Sequence, residues 1–272
     1  MALDTDEARR ERYKEIIQSF TLLDDVFMTA VFQDSLPCVD LVLQIILDRP
    51  NLRATRVVTQ DTLKNLHGHD LRLDIHAFAD GQEFNIEIQR AKKGAEPRRA
   101  RYHSSMMDAN ALPEGADYVK LPESYVIFIT ETDVLGMGQP LYVIERVIRG
   151  GGRRFDDGTH IIYVNASMAD TTTPLGRLMH DFRCVRSEEM YYEVLAKQAG
   201  AFKKHERGEI RMNAALEKLI EEVSEEKMER ARETERLSSI RRMMEKLSVT
   251  AEKAMDVLAI PQSEWGRYKA ML

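Results

Sequence analysis

Asp74, Glu87 and Gln89 are the residues whose types and spacing best suit chemistry: an Asp, a Glu thirteen positions on, and a Gln two further. Two carboxylates brought together suit a hard divalent cation. Mg²⁺ prefers one or two carboxylates and fills its shell with waters and phosphate oxygens. Such a cation lowers the pKa of a bound water and polarises a phosphoryl oxygen. A neutral amide beside it can orient that water but cannot act as a general base.

The three residues need an element that brings them together, and the stretch Leu71 to Arg90, LRLDIHAFADGQEFNIEIQR, supplies one. Leu71, Leu73, Ile75, Ala77 and Ala79 alternate with Arg72, Asp74, His76 and Phe78; Phe84, Ile86 and Ile88 alternate with Asn85, Glu87 and Gln89. A period of two with one apolar face predicts two half-buried strands. Asp80-Gly81 between them is a strong hairpin signal, because both turn residues need positive φ. A two-residue turn there sets Ala79 against Gln82, and the same register sets Asp74 against Glu87 and Arg72 against Gln89. Like charges facing each other across an antiparallel pair are destabilising. A sequence shaped only by folding avoids that arrangement, and a bound cation removes its cost. The bland alternative is a solvated polar face on an edge hairpin.

The next segment is the basic one. Arg90, Lys92, Lys93, Arg98, Arg99 and Arg101 fall within twelve residues, with Glu96 the single acid among them, in a chain of net charge −6. Pro97 suits the first position of a helix. On that helix Arg98, Arg101, Tyr102 and Ser105 share one face. Arginines with an aromatic and a hydroxyl on one face suit a phosphate backbone; the plain alternative is a solvated basic helix.

The remaining pattern predicts an α/β protein. Its 272 residues suit one domain of moderate size plus an appendage. The expected helices are charged Asp6–Gln18, one starting near Asp24-Asp25, a strongly apolar one from Pro37 to just before Pro50, Pro174–Phe182 and Tyr191–Phe202. The expected strands, besides the hairpin, are Arg53–Thr62, Tyr125–Thr130, Leu141–Ile148 and Thr159–Asn165. His67-Gly68-His69 is a loop whose His pair lacks further ligands at metal spacing, and Gly150-Gly151-Gly152 is a loop without the GK[ST] of a phosphate loop. The acidic total argues against a whole-surface grip on nucleic acid but leaves room for a local basic patch. Two distant cysteines, Cys38 and Cys184, imply neither a disulfide framework nor zinc spacing, and so a reducing, cytoplasmic setting. The charged N-terminus has no apolar core of a signal peptide, and no apolar run approaches membrane-spanning length.

The domain expected at 1–202 gives way to a helical C-terminal extension, 203–272. Leu216, Leu219, Ile220 and Val223 form one apolar patch there, and Leu237, Ile240, Met244 and Leu247 another at heptad-like spacing; the nearly all-charged stretch between them reads as a solvated helix, and a short coiled coil would suit a homodimer through these helices. Thr250 can cap a helix and Pro261 can open a last one carrying Trp265 and Tyr268. The pair has the outline of a helix-turn-helix, but with few basic residues to hold DNA it reads as a packing or dimerisation element.

The pattern Asp-x(12)-Glu-x-Gln on a hairpin, followed by a basic helix, resembles the PD-(D/E)XK nuclease superfamily. It is most similar to the branch of recombination-promoting nucleases and transposases. LRLDIHAFADGQEFNIEIQ and then RRARYH carry the resemblance, with DDVFMTAVF and YVIFIT as flanks, over roughly Asp24 to Ser167. It implies a restriction-endonuclease-like core, a central mixed β-sheet flanked by helices. It implies a metal-dependent endodeoxyribonuclease in which Asp74 and Glu87 bind Mg²⁺ or Mn²⁺. Gln89 takes the place where most of the superfamily has a Lys that orients or activates the nucleophile, and Arg98, Arg101 and Tyr102 support the site or contact DNA. The neutral Gln leaves a second reading open: a weak or inactive nuclease-derived module for DNA binding or assembly.

Overall fold

The structure, a computed structural model, describes residues 15–65, 68–90, 94–205, 234–244, 249–269 and 271. The chain divides into two compact units, Met1–Glu209 and Ile210–Leu272.

The first unit is built on one mixed sheet of six strands in the order β1-β2-β3-β4-β6-β5. These are β1 (Ala54–Leu63), β2 (Leu71–Ala79), β3 (Gln82–Gln89), β4 (Ser124–Thr130), β5 (Leu141–Ile144) and β6 (Thr159–Asn165). β1, β2 and β3 run antiparallel in sequence; β3, β4 and β6 are parallel, and β5 closes the far edge antiparallel to β6. A parallel step needs a crossover. Helix α3 (Pro97–Ala111) makes the one from β3 to β4, with Pro97 in its first turn. The other helices are α1 (Asp25–Phe32), α2 (Leu36–Leu47), α4 (Pro174–Arg183) and α5 (Glu193–His205).

Both faces of the sheet are covered. Ala100, Met106 and Met107 of α3 share a buried cluster with Val126 and Phe128 of β4 and Tyr163 of β6. Phe84, Ile86, Ile127 and Ile129, which alternate to the opposite face, are fully buried as well. Helices α1, α2, α4 and α5 pack as a group, joined by Phe32 against Phe182 (6.3 Å between ring centroids) and Phe27 against Phe202 (5.5 Å). This double cover changes the expectation for the hairpin. Much of its polar face is not solvated: Glu83, Asn85 and Glu87 of β3 are all buried beneath α3, while Arg72 at the far end of β2 stays exposed.

The turn is as the sequence predicts, with Asp80 at φ 50° and Gly81 at φ 75°. It fixes the register Ala79↔Gln82, Ala77↔Phe84 and Ile75↔Ile86. The strand expected over Leu141–Ile148 is shorter and ends at Ile144. Beyond it residues 145–157 leave the sheet, held by a single bridge between Val147 and Arg154. Of the expected helix over Asp6–Gln18, residues 15–18 are helical and the rest lies outside the described residues.

Lys203, where the extension was expected to begin, lies in α5 and is buried in the first unit. Its ammonium donates to the carbonyls of Gln18 (3.1 Å), Phe20 (2.7 Å) and Val185 (2.5 Å). In the second unit residues 234–244 are helical and pack with α6 (Ala251–Val257) and α7 (Gln262–Lys269). Thr250 caps α6 by accepting from Lys253 N–H. Ile240 is buried with Ala254, Met255, Ile260 and Tyr268, and Leu237 and Met244 pack against them. Leu237, Ile240 and Met244 of the second heptad-like patch are therefore covered within their own unit, and Leu247 lies outside the described residues. The first patch, Leu216 to Val223, lies outside the described residues. Among the described residues no helix is long and apolar enough to cross a membrane.

Candidate active site

The hairpin ladder runs from the turn to Ile75↔Ile86, and at the next position carboxylates take over from carbonyls. The backbone N–H of Asp74 donates to Oε1 of Glu87 at 3.2 Å. The N–H of Ile88 donates to Oδ2 of Asp74 at 3.0 Å. Each acid thus grips the other strand's backbone, and the two side chains are held face to face as the register predicts.

Burial sets the electrostatics. Glu87 is fully buried and Asp74 partly so. Desolvation pushes both carboxyl pKa values up; the charge of Asp74 raises Glu87 further, and the charge of Asp25 raises Asp74. Arg99 offsets part of this at both acids, and Arg72 adds to it at Asp74. Nη2 of Arg99 lies 3.6 Å from Oε2 of Glu87 and stands beyond hydrogen-bond range. Oε2 of Glu87 is buried without a hydrogen-bond partner.

His103 completes the wall. It is fully buried, and Nδ1 lies 3.6 Å from Oε1 of Glu87. Burial and then the charge of Arg99 push its pKa down to about 3, so the ring is neutral. Nε of Arg99 donates to its Nε2 at 3.2 Å. Because guanidinium can only donate, Nε2 is the bare nitrogen and Nδ1 carries the proton. Nδ1 faces Nδ2 of Asn85 at 2.9 Å, while Oδ1 of Asn85 is buried and unpartnered. Turning the amide over satisfies both, with Oδ1 accepting from His103.

Gln89 closes the β3 end. It sits beside Thr130 of β4, half-buried. Its side chain lies over Gly94, where an added Cβ would fall 2.5 Å from Oε1 of Gln89 and 3.3 Å from Nη1 of Arg99. Gly94 also takes φ 116°, a conformation that side chains avoid. The glycine therefore leaves the space that Gln89 and Arg99 both border.

On the other side β1 passes Asp74 between the pairs Thr59↔Ile75 and Asp61↔Leu73. Gln60, at φ 54°, turns its amide to Asp25 Oδ1 and Thr29 Oγ1 of α1, both at 3.0 Å. Asp25 is thereby fixed near the pair, in the first turn of α1, with Asp24 at the N-cap. Asp24 points elsewhere and accepts from Arg90 Nη1 at 2.5 Å, which ties α1 to the end of β3.

The expected basic face is only partly free. Arg98 and Arg101 are exposed and have no side-chain partner among the described residues. Tyr102 is exposed at the ring, but its hydroxyl donates to the carbonyl of His69 at 2.6 Å and accepts from Asn65 Nδ2 at 3.0 Å. It clasps the β1–β2 loop onto α3. Lys92, Lys93 and His67 lie outside the described residues.

Sequence reasoning missed Arg99, His103 and Asn85. The helix's apolar residues held the signal: Ala100 and Met107 mark the side of α3 that meets the sheet, and Arg99 and His103 flank that stripe.

The donor set suits a hard cation. Glu87 offers a buried oxygen with no protein donor, and Asp74 offers a second carboxylate on the facing strand. Among the described residues, once the Asn85 amide is turned, the buried side-chain oxygens without partners beside or opposite this pair are those of Gln60 and Glu87. Buried polar atoms are ordinarily satisfied, so an orphan carboxylate oxygen at Glu87 is in keeping with a further ligand there.

No curated protein and no solved structure matches the chain. A family model described as PD-(D/E)XK nuclease family transposase matches residues 43–256, from α2 into α6. That span takes in the whole sheet, and the sheet is the restriction-endonuclease-like α/β core that such a family requires. Nucleases with this motif generally depend on a divalent metal, in keeping with the carboxylate pair across the hairpin, and the chain belongs to the PD-(D/E)XK nuclease family transposases.

Proposed function

We propose that this chain is a divalent-metal-dependent DNA endonuclease that hydrolyses phosphodiester bonds, acting in transposition-like recombination or in defence against foreign DNA. The observation that carries the reading is the buried, unpartnered Oε2 of Glu87 beside Asp74. Leaving a buried carboxylate oxygen unsatisfied costs about 1–3 kcal/mol or more, so its retention favours a cation there. Asp74 and Glu87 would hold Mg²⁺ or Mn²⁺. When bound, that ion lowers the pKa of a water and neutralises charge on a phosphoryl oxygen. The protein's own groups do the rest. Gln89 orients the attacking water through its amide but does not take its proton. Arg99, partly exposed beside Glu87, offers its guanidinium to a phosphate oxygen. Arg98 and Arg101 extend that positive surface along α3 toward the backbone of the duplex, with Tyr102 at its margin. Asp25 is a third carboxylate within electrostatic reach of Asp74.

The alternative is a nuclease-derived module that binds or assembles on DNA without cutting, and Gln89 is the residue that favours it. Supercoiled plasmid incubated with Mg²⁺ or Mn²⁺ separates the two. Wild type nicks and linearises the plasmid, while Asp74→Ala and Glu87→Ala do not. Absence of metal-dependent nicking by wild type at every salt concentration leaves the binding module. Cutting that survives both substitutions removes these residues from the site.

A further inference from the structure

The sheet's far edge carries a feature that the catalytic reading does not use. After β5 the chain runs out as a two-stranded arm, residues 145–157, and returns to β6. Two ion pairs close its base: Arg146 with Asp157, and Arg154 with Glu145 at 3.0 Å. The backbone adds Phe155 N–H to Arg146 O (2.9 Å) and Ile148 N–H to Arg153 O (2.8 Å). Gly150-Gly151-Gly152 forms the tip. Gly150 and Gly152 take φ 93° and 63°, and a Cβ at any of the three would meet nothing. The tip is thus a thin ribbon of backbone.

Arg149 and Arg153 flank this ribbon. Both are exposed, and neither has a side-chain partner among the described residues, unlike the two arginines at the base. Residues 147–155 hold three arginines and no acid, in a chain of net charge −6. Val147 (64% exposed), Ile148 (48%) and Phe155 (59%) stand outside the fold beside them.

We propose that this arm is a second contact surface for duplex DNA, with Arg149 and Arg153 on the phosphates and the glycine tip entering a groove. The inference rests on the nuclease reading of the Asp74–Glu87 site. A two-stranded β-ribbon fits the major groove, and free guanidinium groups suit phosphate oxygens. At the base Glu145 and Asp157 are neutralised by their own partners, while Asp156 is not paired with a cation among the described residues, so the free positive charge is confined to the tip, where Arg149 and Arg153 complement a polyanion. The arm touches different phosphates from those at the carboxylates. β5 runs antiparallel to β6, so the arm leaves the sheet at the end opposite Glu87 and Gln89. It also lies three strands from β3, roughly 14 Å of lateral separation.

The test uses the full chain, a labelled duplex of ~30 base pairs and EDTA, with fluorescence anisotropy read across a salt series. The paired variant Arg149→Gln/Arg153→Gln binds about tenfold more weakly, and its slope of log K against log salt falls by about two. Arg149→Lys/Arg153→Lys keeps the slope, which separates charge from folding. Equal affinity and slope in wild type and the Gln variant overturn the arm's role and leave the nuclease reading intact; a merely solvated arm, or one that docks a protein, gives that result. A wild-type chain without affinity for duplex DNA overturns the nuclease reading and the arm together.

Discussion

His103 and Glu87 face each other across 3.6 Å, from Nδ1 to Oε1, with both side chains out of reach of solvent. A charged imidazolium here would make an ion pair, but Arg99 already occupies Nε2 and burial opposes a second positive charge. His103 is therefore a neutral donor that presents one N–H toward Asn85 and Glu87. ¹⁵N shifts of the imidazole in labelled protein are expected to report a neutral ring with the proton on Nδ1, unchanged on acidification until the protein itself fails. A protonated His103 at neutral pH would contradict this arrangement. Substitution by Phe keeps the volume and removes the donor, and is expected to cost about 1–3 kcal/mol in denaturant unfolding.

Asp74 and Glu87 make stability depend on pH and on metal together. Burial raises both pKa values in the folded state above those of the unfolded chain. The folded state therefore binds protons more tightly, and its advantage is full below the ordinary carboxylate pKa. It is lost as pH rises through the raised folded values. In EDTA, Tm is expected to fall as pH rises from about 5 to about 8, beyond what the rest of the chain contributes. Mg²⁺ restores stability, and restores more of it at the higher pH, where both carboxylates are ionised. In Glu87→Gln the slope in EDTA flattens and the response to Mg²⁺ shrinks. A metal increment that is independent of pH, or undiminished in Glu87→Gln, would detach the ion from this pair.

What the sequence made legible was what short-range rules govern. Asp80-Gly81 permits one tight turn, the turn fixes one register, and the register brings Asp74 to Glu87. Pro97 opens α3 and YVIFIT becomes an interior strand for similarly local reasons. The polar face of the hairpin was misleading because alternation reports which residues are polar, not what covers them. Glu83, Asn85 and Glu87 are buried by a helix that comes after them in the chain, and His76 is buried between Asp61 (2.7 Å) and Glu83 (2.6 Å). Arg99 was hidden for a related reason. The helix has two basic faces, and the choice between them depends on which one meets the sheet.

Lys203 tests how the core supports this face. Its buried ammonium donates to three carbonyls, of Gln18, Phe20 and Val185, and lies 4.9 Å from the ring centroid of Phe27. Lys203→Met keeps much of the stem but takes the ammonium donor away from those carbonyls in an apolar setting. The expected loss is about 3–5 kcal/mol by denaturant unfolding, since the uncompensated groups stay buried. Lys203→Arg, with a planar fork in place of three rotatable donors, recovers only part of it. A Met variant as stable as wild type would mean that water reaches the carbonyls.

Gly94 links the mechanism to a single missing atom. A Cβ there would stand 2.5 Å from Oε1 of Gln89, and the residue's φ of 116° is already unfavourable for any side chain. Gly94→Ala must therefore push Gln89 off its position, at a cost in stability of about 1–3 kcal/mol from the backbone alone. If Gln89 orients the attacking water, plasmid nicking at saturating DNA falls by tenfold or more, while DNA affinity in EDTA stays near wild type because Arg98 and Arg101 are untouched. Gln89→Ala is expected to give the same split between rate and affinity. Adding Gly94→Ala to it costs little further rate, since the two changes remove one function. Additive losses in the double variant would show that Gly94 serves the site through Arg99 instead, the other group within reach of the same Cβ at 3.3 Å.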